Sequence, residues 1–214
     1  MTVKHHPDIS TLMAFSAGTL DEPYTTVIAT HLAMSEQGRE IMHRLNAIGG
    51  ALLESEPEAE IKEGAVDRLL GSLTGEGVQP LPHREPASVP APLRPYLPLG
   101  LEGVRWKWTG PGVAAADLAV GKDGKSRLML MRVAGGRSVP EHSHGGQELT
   151  LILRGAYRDR FGVFEVGDIS DHDEDVEHQP IAEPGEDCIC LVAVNAPLSF
   201  RSRLVRALQP LFGL

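Results

Sequence analysis

Residues 136–155 read GRSVPEHSHGGQELTLILRG, placing two histidines and a glutamate directly ahead of an alternating apolar run. In an extended chain successive side chains point to opposite faces, so His142 and His144, two positions apart, project to the same side. The GGQ turn that follows lets Glu148 bring its carboxylate to the same centre. A fourth ligand has to come from elsewhere. Residues 167–180, GDISDHDEDVEHQP, offer His178 behind a glycine and acidic turn that suits a second strand laid beside the first. Three imidazoles and one carboxylate make a donor set for zinc, and also for iron, manganese, nickel or copper. An isolated H-x-H is common among surface histidines, so the surroundings decide.

Those surroundings read as strands. VRWKW, AADLAV, RLMLMRV, LTLILRG, AYRD, DCICLVAV and PLSF are short runs with period-two alternation, separated by Gly and Asp turns between residues 104 and 200. Regularly spaced short strands predict an all-β unit of the jelly-roll or sandwich-barrel kind, with a concave interior able to hold a site.

Before this unit the pattern differs. Residues 79–98, QPLPHREPASVPAPLRPYLP, hold seven of the 16 prolines and show scarcely any periodicity, which predicts an extended linker. Residues 1–78 are helical in pattern. STLMAFSA stops at Gly18, and DEPYTTVIATHLAM opens with acidic residues and Pro23. A third helix over about 36–53 lines up Ile41, Leu45, Ile48 and Leu52, with Gly49-Gly50 near its end, and EGAVDRLLGSL supplies a fourth. The predicted class is therefore α+β in two domains, 1–78 helical and 99–214 β with a carboxy-terminal tail. Four short amphipathic helices in under 80 residues make a marginal core, which a partner or a metal would help.

Composition narrows the function. The net charge is −9, and residues 1–85 hold 6 Lys/Arg against 13 Asp/Glu while residues 86–214 hold 14 against 16. That balance disfavours direct contact with a nucleic-acid backbone and suits a basic protein partner. Two cysteines, Cys188 and Cys190, cannot build a disulfide framework; their i, i+2 spacing puts both on one face of a strand. The amino terminus lacks an apolar signal core and no run of about 20 apolar residues occurs, so the cytosol is the default compartment and no membrane partner is expected.

The spacing Gly136-x5-His142-x-His144-x3-Glu148-x6-Gly155 resembles the first motif of the cupin superfamily, and Gly167-x5-Asp173-x-Asp175-x2-His178 has the spacing of the second. The proline, glycine and asparagine usual in the second motif are replaced by Asp173, Asp175 and Ala182. The chain as a whole resembles ChrR-type anti-sigma factors, in which a zinc-binding helical module precedes a cupin domain. HHPDISTLMAFSAGTL, the following ATHL and the apolar helix after it carry that likeness at the amino-terminal end. The family's zinc pattern is a histidine near the first helix and then His-x3-Cys-x2-Cys. His6 and His31 match its histidines, but Ser35 and Gly38 stand where the cysteines are expected. A hydroxyl and a missing side chain do not replace two thiolates, so zinc at this first site is expected to be absent or very weak.

The resemblance implies that residues 1–78 grip a sigma factor of the extracytoplasmic-function class, and that the cupin domain is needed for its release under oxidative stress such as singlet oxygen. Ile41, Met42, Leu45 and Leu69 are the candidate contacts, with internal core as their alternative use. Cys188 and Cys190 are candidate redox sensors if thiolate in character, or otherwise two small buried strand residues. The rival function is a cupin enzyme, a metal-dependent dioxygenase or isomerase with a helical oligomerisation arm. A cupin regulator that contacts DNA directly ranks last, for want of a basic recognition helix.

Overall fold

The computed structural model describes residues 3–73, 89–122, 124–196 and 198–200, with backbone alone for His144 and residues 198–200. Four α-helices come first: α1 (Ile9–Ser16), α2 (Glu22–Met34), α3 (Glu36–Glu54) and α4 (Ala65–Leu73). Gly18, at φ 67°, ends the run after α1 in the left-handed conformation that glycine alone adopts without strain. The side chain of Ser35 accepts the Gly38 N–H at 2.9 Å and caps α3, while Pro23 sits in the first turn of α2. Gly49 and Gly50 lie inside α3 instead of ending it, and a β-carbon at either position would meet nothing within 4 Å.

Twelve strands follow among the described residues: β1 (Lys107–Gly110), β2 (Val113–Val120), β3 (Arg127–Val133), β4 (His142–His144), β5 (Glu148–Arg154), β6 (Ala156–Asp159), β7 (Gly162–Glu165), β8 (Ile169–His172), β9 (Glu177–His178), β10 (Ile181–Ala182), β11 (Cys188–Val194) and β12 (Leu198–Phe200). All pairings are antiparallel. One six-stranded sheet runs β1-β2-β3-β11-β5-β8, and two three-stranded sheets run β10-β6-β7 and β12-β4-β9. Gly155 turns β5 into β6 at φ 67°, and a β-carbon there would stand 2.7 Å from the Asp187 carbonyl oxygen, so both backbone angle and space demand glycine.

The large sheet has two buried faces. One lines the barrel interior, where Ala115, Met129, Val133, Ile152, Cys188, Cys190 and Val192 pack with Tyr157 and Phe164. The other is covered by the helices: Leu128, Leu130, Leu149, Leu151, Ile169, Ile189 and Leu191 form one core with Leu12 of α1 and Tyr24, Val27 and Ile28 of α2. The helical module thus shares its interior with the outside of the sheet, on which α1 and α2 close.

The linker expected over residues 79–98 is shorter than proline content suggests. Val89, Leu93 and Leu97 are buried in the shared core, a 3-10 turn spans Ala91–Leu93, and the Tyr96 hydroxyl donates to Glu22 at 2.8 Å. Proline here sets an irregular but packed strap over α2, because φ restriction is compatible with burial where no sheet hydrogen bond is required. Residues 79–88 and the tail from 201 lie outside the described residues. Among the described residues no helix is long and apolar enough to cross a membrane.

Ile28 has no solvent exposure and stands between helix and sheet. Ile28→Ala is expected to cost about 2–5 kcal/mol. Because helices and sheet share that core, chemical denaturation followed by far-UV and near-UV circular dichroism should give one coincident transition at a lower midpoint. Two separated transitions in the wild-type chain would contradict the shared core.

Candidate metal centre and amino-terminal histidine pair

β4 is only three residues long, and its role is to set His142 against β9, where the register pairs His142 directly with His178. The two rings lie 4.7 Å apart. Glu148 opens β5 and points to the same interior. All three are buried, at 3, 6 and 3% exposure for His142, Glu148 and His178, and their ligating atoms lie within 4.8 Å of one another. His144 shares the strand and pairs through its backbone with Leu198, while its side chain lies outside the described residues.

Hydrogen bonds fix which ring atoms face inward. His142 Nδ1 is 2.8 Å from the Pro140 carbonyl oxygen, which only accepts, so Nδ1 carries a proton and Nε2 is the ring nitrogen left for a ligand. His178 Nδ1 donates to Asp159 Oδ2 at 2.9 Å with the same result. The Thr150 hydroxyl donates to Glu148 Oε1 at 3.0 Å. Two imidazoles whose Nδ1 atoms are engaged, leaving Nε2 for the interior, and an oriented carboxylate fit a divalent ion, and carboxylate–histidine support of this kind is what metal ligands ordinarily carry.

Asp159 has no signal in the sequence. Nothing in AYRD links it to a histidine nineteen positions on; the β6–β7 hairpin makes the contact. Burial acts to raise its carboxyl, but hydrogen bonds from His178 and from the Phe161 N–H hold it below the usual carboxylate value. His172 is a second residue that spacing does not reveal. It is 6% exposed, lies opposite Glu148 in the β5–β8 register and stacks edge-on to His178 at 4.7 Å. Asp159, His172 and His178 form a second close group. Since Asp159 already accepts from His178, this group supports the first one.

Beside the site is a cavity of about 30 Å³ lined by Met131, Tyr157, Cys188 and Cys190 together with the three candidate ligands. That is room for one or two waters. The cysteine sulfurs are 3.6 Å apart and both residues are buried, so the expected proximity to the metal site is present. At Cys190 thiolate character is opposed. The hydrogen bond to Cys188, burial, and the nearby charges of Cys188 and Glu148 push the Cys190 thiol well above its ordinary value.

At the other end of the chain the four pattern positions converge. His6 Nδ1 is 3.2 Å from His31 Nε2, and His31 Nδ1 is 2.9 Å from the Gly167 carbonyl oxygen. The carbonyl requires a proton on His31 Nδ1, so His31 Nε2 accepts and His6 Nδ1 donates. A β-carbon on Gly38 would lie 3.1 Å from Ser35 Oγ and 3.2 Å from His31 Nε2, so position 38 faces the pair. Ser35 Oγ is engaged as the cap of α3. Among the described residues no third His, Cys or carboxylate completes the pair. The donor set does not fit a structural zinc, which takes four strong ligands.

The candidate partner contacts separate by burial. Met42 is 7% exposed and belongs to the core, because its face of α3 packs toward α1 and α2; it leaves the contact set. Ile41 and Leu45 are partly buried at the edge of that core. Leu69 is 61% exposed.

Three comparisons bear on this geometry. Residues 100–197 match a family described as the ChrR Cupin-like domain. The chain is 42% identical over 213 residues, 99% of each chain, to the Anti-sigma-E factor ChrR of Cereibacter sphaeroides. It also resembles a chain in the crystal structure of Rhodobacter sphaeroides SigE in complex with the anti-sigma ChrR, with a TM-score of 0.79 and 39% identity over 90% of this chain and 99% of that one.

Burial holds the His31 imidazole down at about 4, outweighing the hydrogen bond to Gly167; the neighbouring His6 adds to the depression. A group depressed in the folded state contributes stability that is present above its unfolded value of 6.5 and lost as pH falls toward 4. Between about pH 7 and pH 5 the loss from this residue should be about 2 kcal/mol. Urea midpoints of wild type and His31→Gln measure it: the variant should show a correspondingly shallower pH dependence, and equal slopes would contradict the burial of a neutral ring.

Proposed function

The chain belongs to the ChrR family of anti-sigma factors, and on that footing we propose that it sequesters a cytoplasmic sigma factor of the extracytoplasmic-function class through its helical module. In this reading the metal-binding cupin domain is needed for release under oxidative stress such as singlet oxygen. The protein is a regulator and not an enzyme.

The observation that carries the partner reading is an apolar surface on α3 and α4. Ile48, Leu52, Val66, Leu69, Leu70 and Leu73 are each more than half exposed, and α4 buries none of its residues. Exposed apolar side chains at helical spacing are anchors for a groove in another protein. Ile41 and Leu45 border this surface, and the acidic surplus of the same module steers a basic partner toward it. The rival enzyme reading needs space for an organic substrate. The cavity beside the candidate ligands, about 30 Å³, is far below the roughly 300–1,000 Å³ of small-molecule sites. The larger cleft of about 630 Å³, lined by His5, His6 and His172, contains none of His142, Glu148 and His178.

Zinc is the ion we assign to His142, His144, Glu148 and His178, with iron, manganese, nickel or copper as alternatives for the same donors. When bound, it ties β4, β5 and β9 to one centre. The chain's own contribution is to hold His142 and His178 in the Nδ1-protonated form and to keep Glu148 oriented. Cys188 and Cys190 have the proximity to the ligands that redox sensing needs, but the raised Cys190 thiol lacks the required thiolate character. In this reading they serve as two small buried residues packed beside the ligands. The amino-terminal zinc is assigned as absent, its place taken by the hydrogen-bonded His6–His31 pair.

Co-expression with an extracytoplasmic-function sigma factor of the same genome, followed by pull-down, tests the surface. Leu69→Asp with Leu73→Asp should weaken capture by at least about tenfold while leaving the circular dichroism unchanged. Glu148→Ala should lose the cupin ion and fail to release the sigma factor when a photosensitiser generates singlet oxygen; normal release by that variant would sink the sensing role. Metal analysis tests the amino-terminal assignment. The wild-type chain should hold one ion, and Ser35→Cys with Gly38→Cys should add a zinc, whereas a second zinc in the wild-type chain would overturn the assignment.

A further inference from the structure

We infer that Gln147 is the positioning residue through which the metal-ligand strand holds the helical module, so that a displacement of Glu148 is transmitted to α1 and α2. The inference rests on the reading that the cupin domain reports to the helices, and it names the contact that carries the report.

Gln147 immediately precedes the ligand Glu148, and alternation sends the two side chains to opposite faces of the sheet. Glu148 faces the barrel interior, while Gln147 faces the helices. Its amide Nε2 donates to Thr11 Oγ1 of α1 at 3.2 Å and to Asp171 Oδ1 of β8 at 2.9 Å. Its backbone carbonyl oxygen accepts the Tyr24 hydroxyl of α2 at 2.8 Å. Thr11 in turn donates to Asp171 Oδ2 at 2.6 Å, and the Asp8 N–H donates to the same oxygen at 3.2 Å. One residue therefore touches both helices and the neighbouring strand.

The same alternation is repeated on β8. His172 is paired opposite Glu148 and Asp171 opposite Leu149, so the inner residues of the two strands face the metal site and their sequence neighbours face the helices. Tyr24 and Thr11 are buried, at 5 and 6% exposure, and a hydrogen bond lost there is not readily replaced by water. On the other side of Gln147 lies Gly146, where a β-carbon would clash with Asn195 Oδ1, so the chain leading into the ligand strand is closely packed. Other ties between the modules sit elsewhere. Asp168 receives the Lys4 and His5 N–H groups, and Ser126 bonds to Asp21, neither next to a candidate ligand in sequence. A shift of the Glu148 peptide consequently breaks the Gln147 contacts first and leaves these as a hinge.

The test uses the full-length, zinc-loaded protein and hydrogen exchange across α1 and α2, before and after zinc removal with a chelator, with zinc content measured throughout. In the wild type, chelation should speed exchange of both helices by about tenfold. Gln147→Ala combined with Tyr24→Phe should keep its zinc, exchange at that faster rate while loaded, and respond no further to chelation. Thr11→Val, nearly isosteric and on the helix side, should reproduce the effect for α1 alone, which guards against a folding defect at the strand. Wild-type helices that ignore chelation would overturn the reporting reading and this contact with it. Helices that respond equally in wild type and in both variants would overturn the role of Gln147 alone.

Discussion

The outer face of the large sheet is apolar and the helices need it. Leu149, Leu151 and Leu191 on the strands and Leu12, Val27 and Ile28 on the helices have no solvent exposure and belong to one core. Each such side chain contributes about 1.5–3 kcal/mol of burial. A helical segment of under 80 residues seldom accumulates enough by itself. Here it borrows much of its interior from the barrel. The packed strap of Val89, Leu93 and Leu97 extends the same core around α2, which is why a proline-rich stretch is ordered where its composition predicts a plain linker.

A sheet buried on both faces also decides how the metal site is wired. On β5 the even-numbered Glu148, Thr150 and Ile152 look into the barrel, and the odd-numbered Leu149 and Leu151 look at the helices. A ligand and a helix contact can then be consecutive residues with no intervening structure to absorb a movement. The imidazoles of the candidate ligands are fixed from behind by a carbonyl and a buried carboxylate, while the residue before Glu148 faces the helices.

Much of this is legible in sequence, and what is not has definite causes. The four helices lie where apolar spacing and capping residues put them, with Gly18 as the stop of the first. Spacing together with the likeness to the cupin motifs points to His142, His144, Glu148 and His178, and the structure brings His142, Glu148 and His178 together. Asp159 and His172 are invisible because their relation to His178 is made by a hairpin and a register, and neither leaves a local pattern. DCICLVAV reads as an alternating strand, yet six of the seven residues of β11 are buried. Its nearly continuous apolar character is the signal of a strand covered on both faces. Met42 belongs to the core for a related reason: the stripe of α3 has a buried edge and an exposed one, and periodicity alone does not say where the division falls.

The presence of Ser35 and Gly38 at the two thiol positions gains its meaning from that shared core. A structural zinc supplies about 10–16 kcal/mol of binding free energy in small modules, enough to make a domain fold independently of its neighbour. The hydrogen bond that joins His6 to His31 supplies a small fraction of that. The pair is anchored to the barrel, since His31 donates to Gly167 at the β7–β8 turn, where a β-carbon would come within 2.8 Å of Val3. With His31 tied to Gly167 and the helices packed on the shared core, the stability of the helical module rests on the surface of the sheet. A helical module that takes its shape from the outer face of the sheet responds to a change in the sheet, because the two share one core.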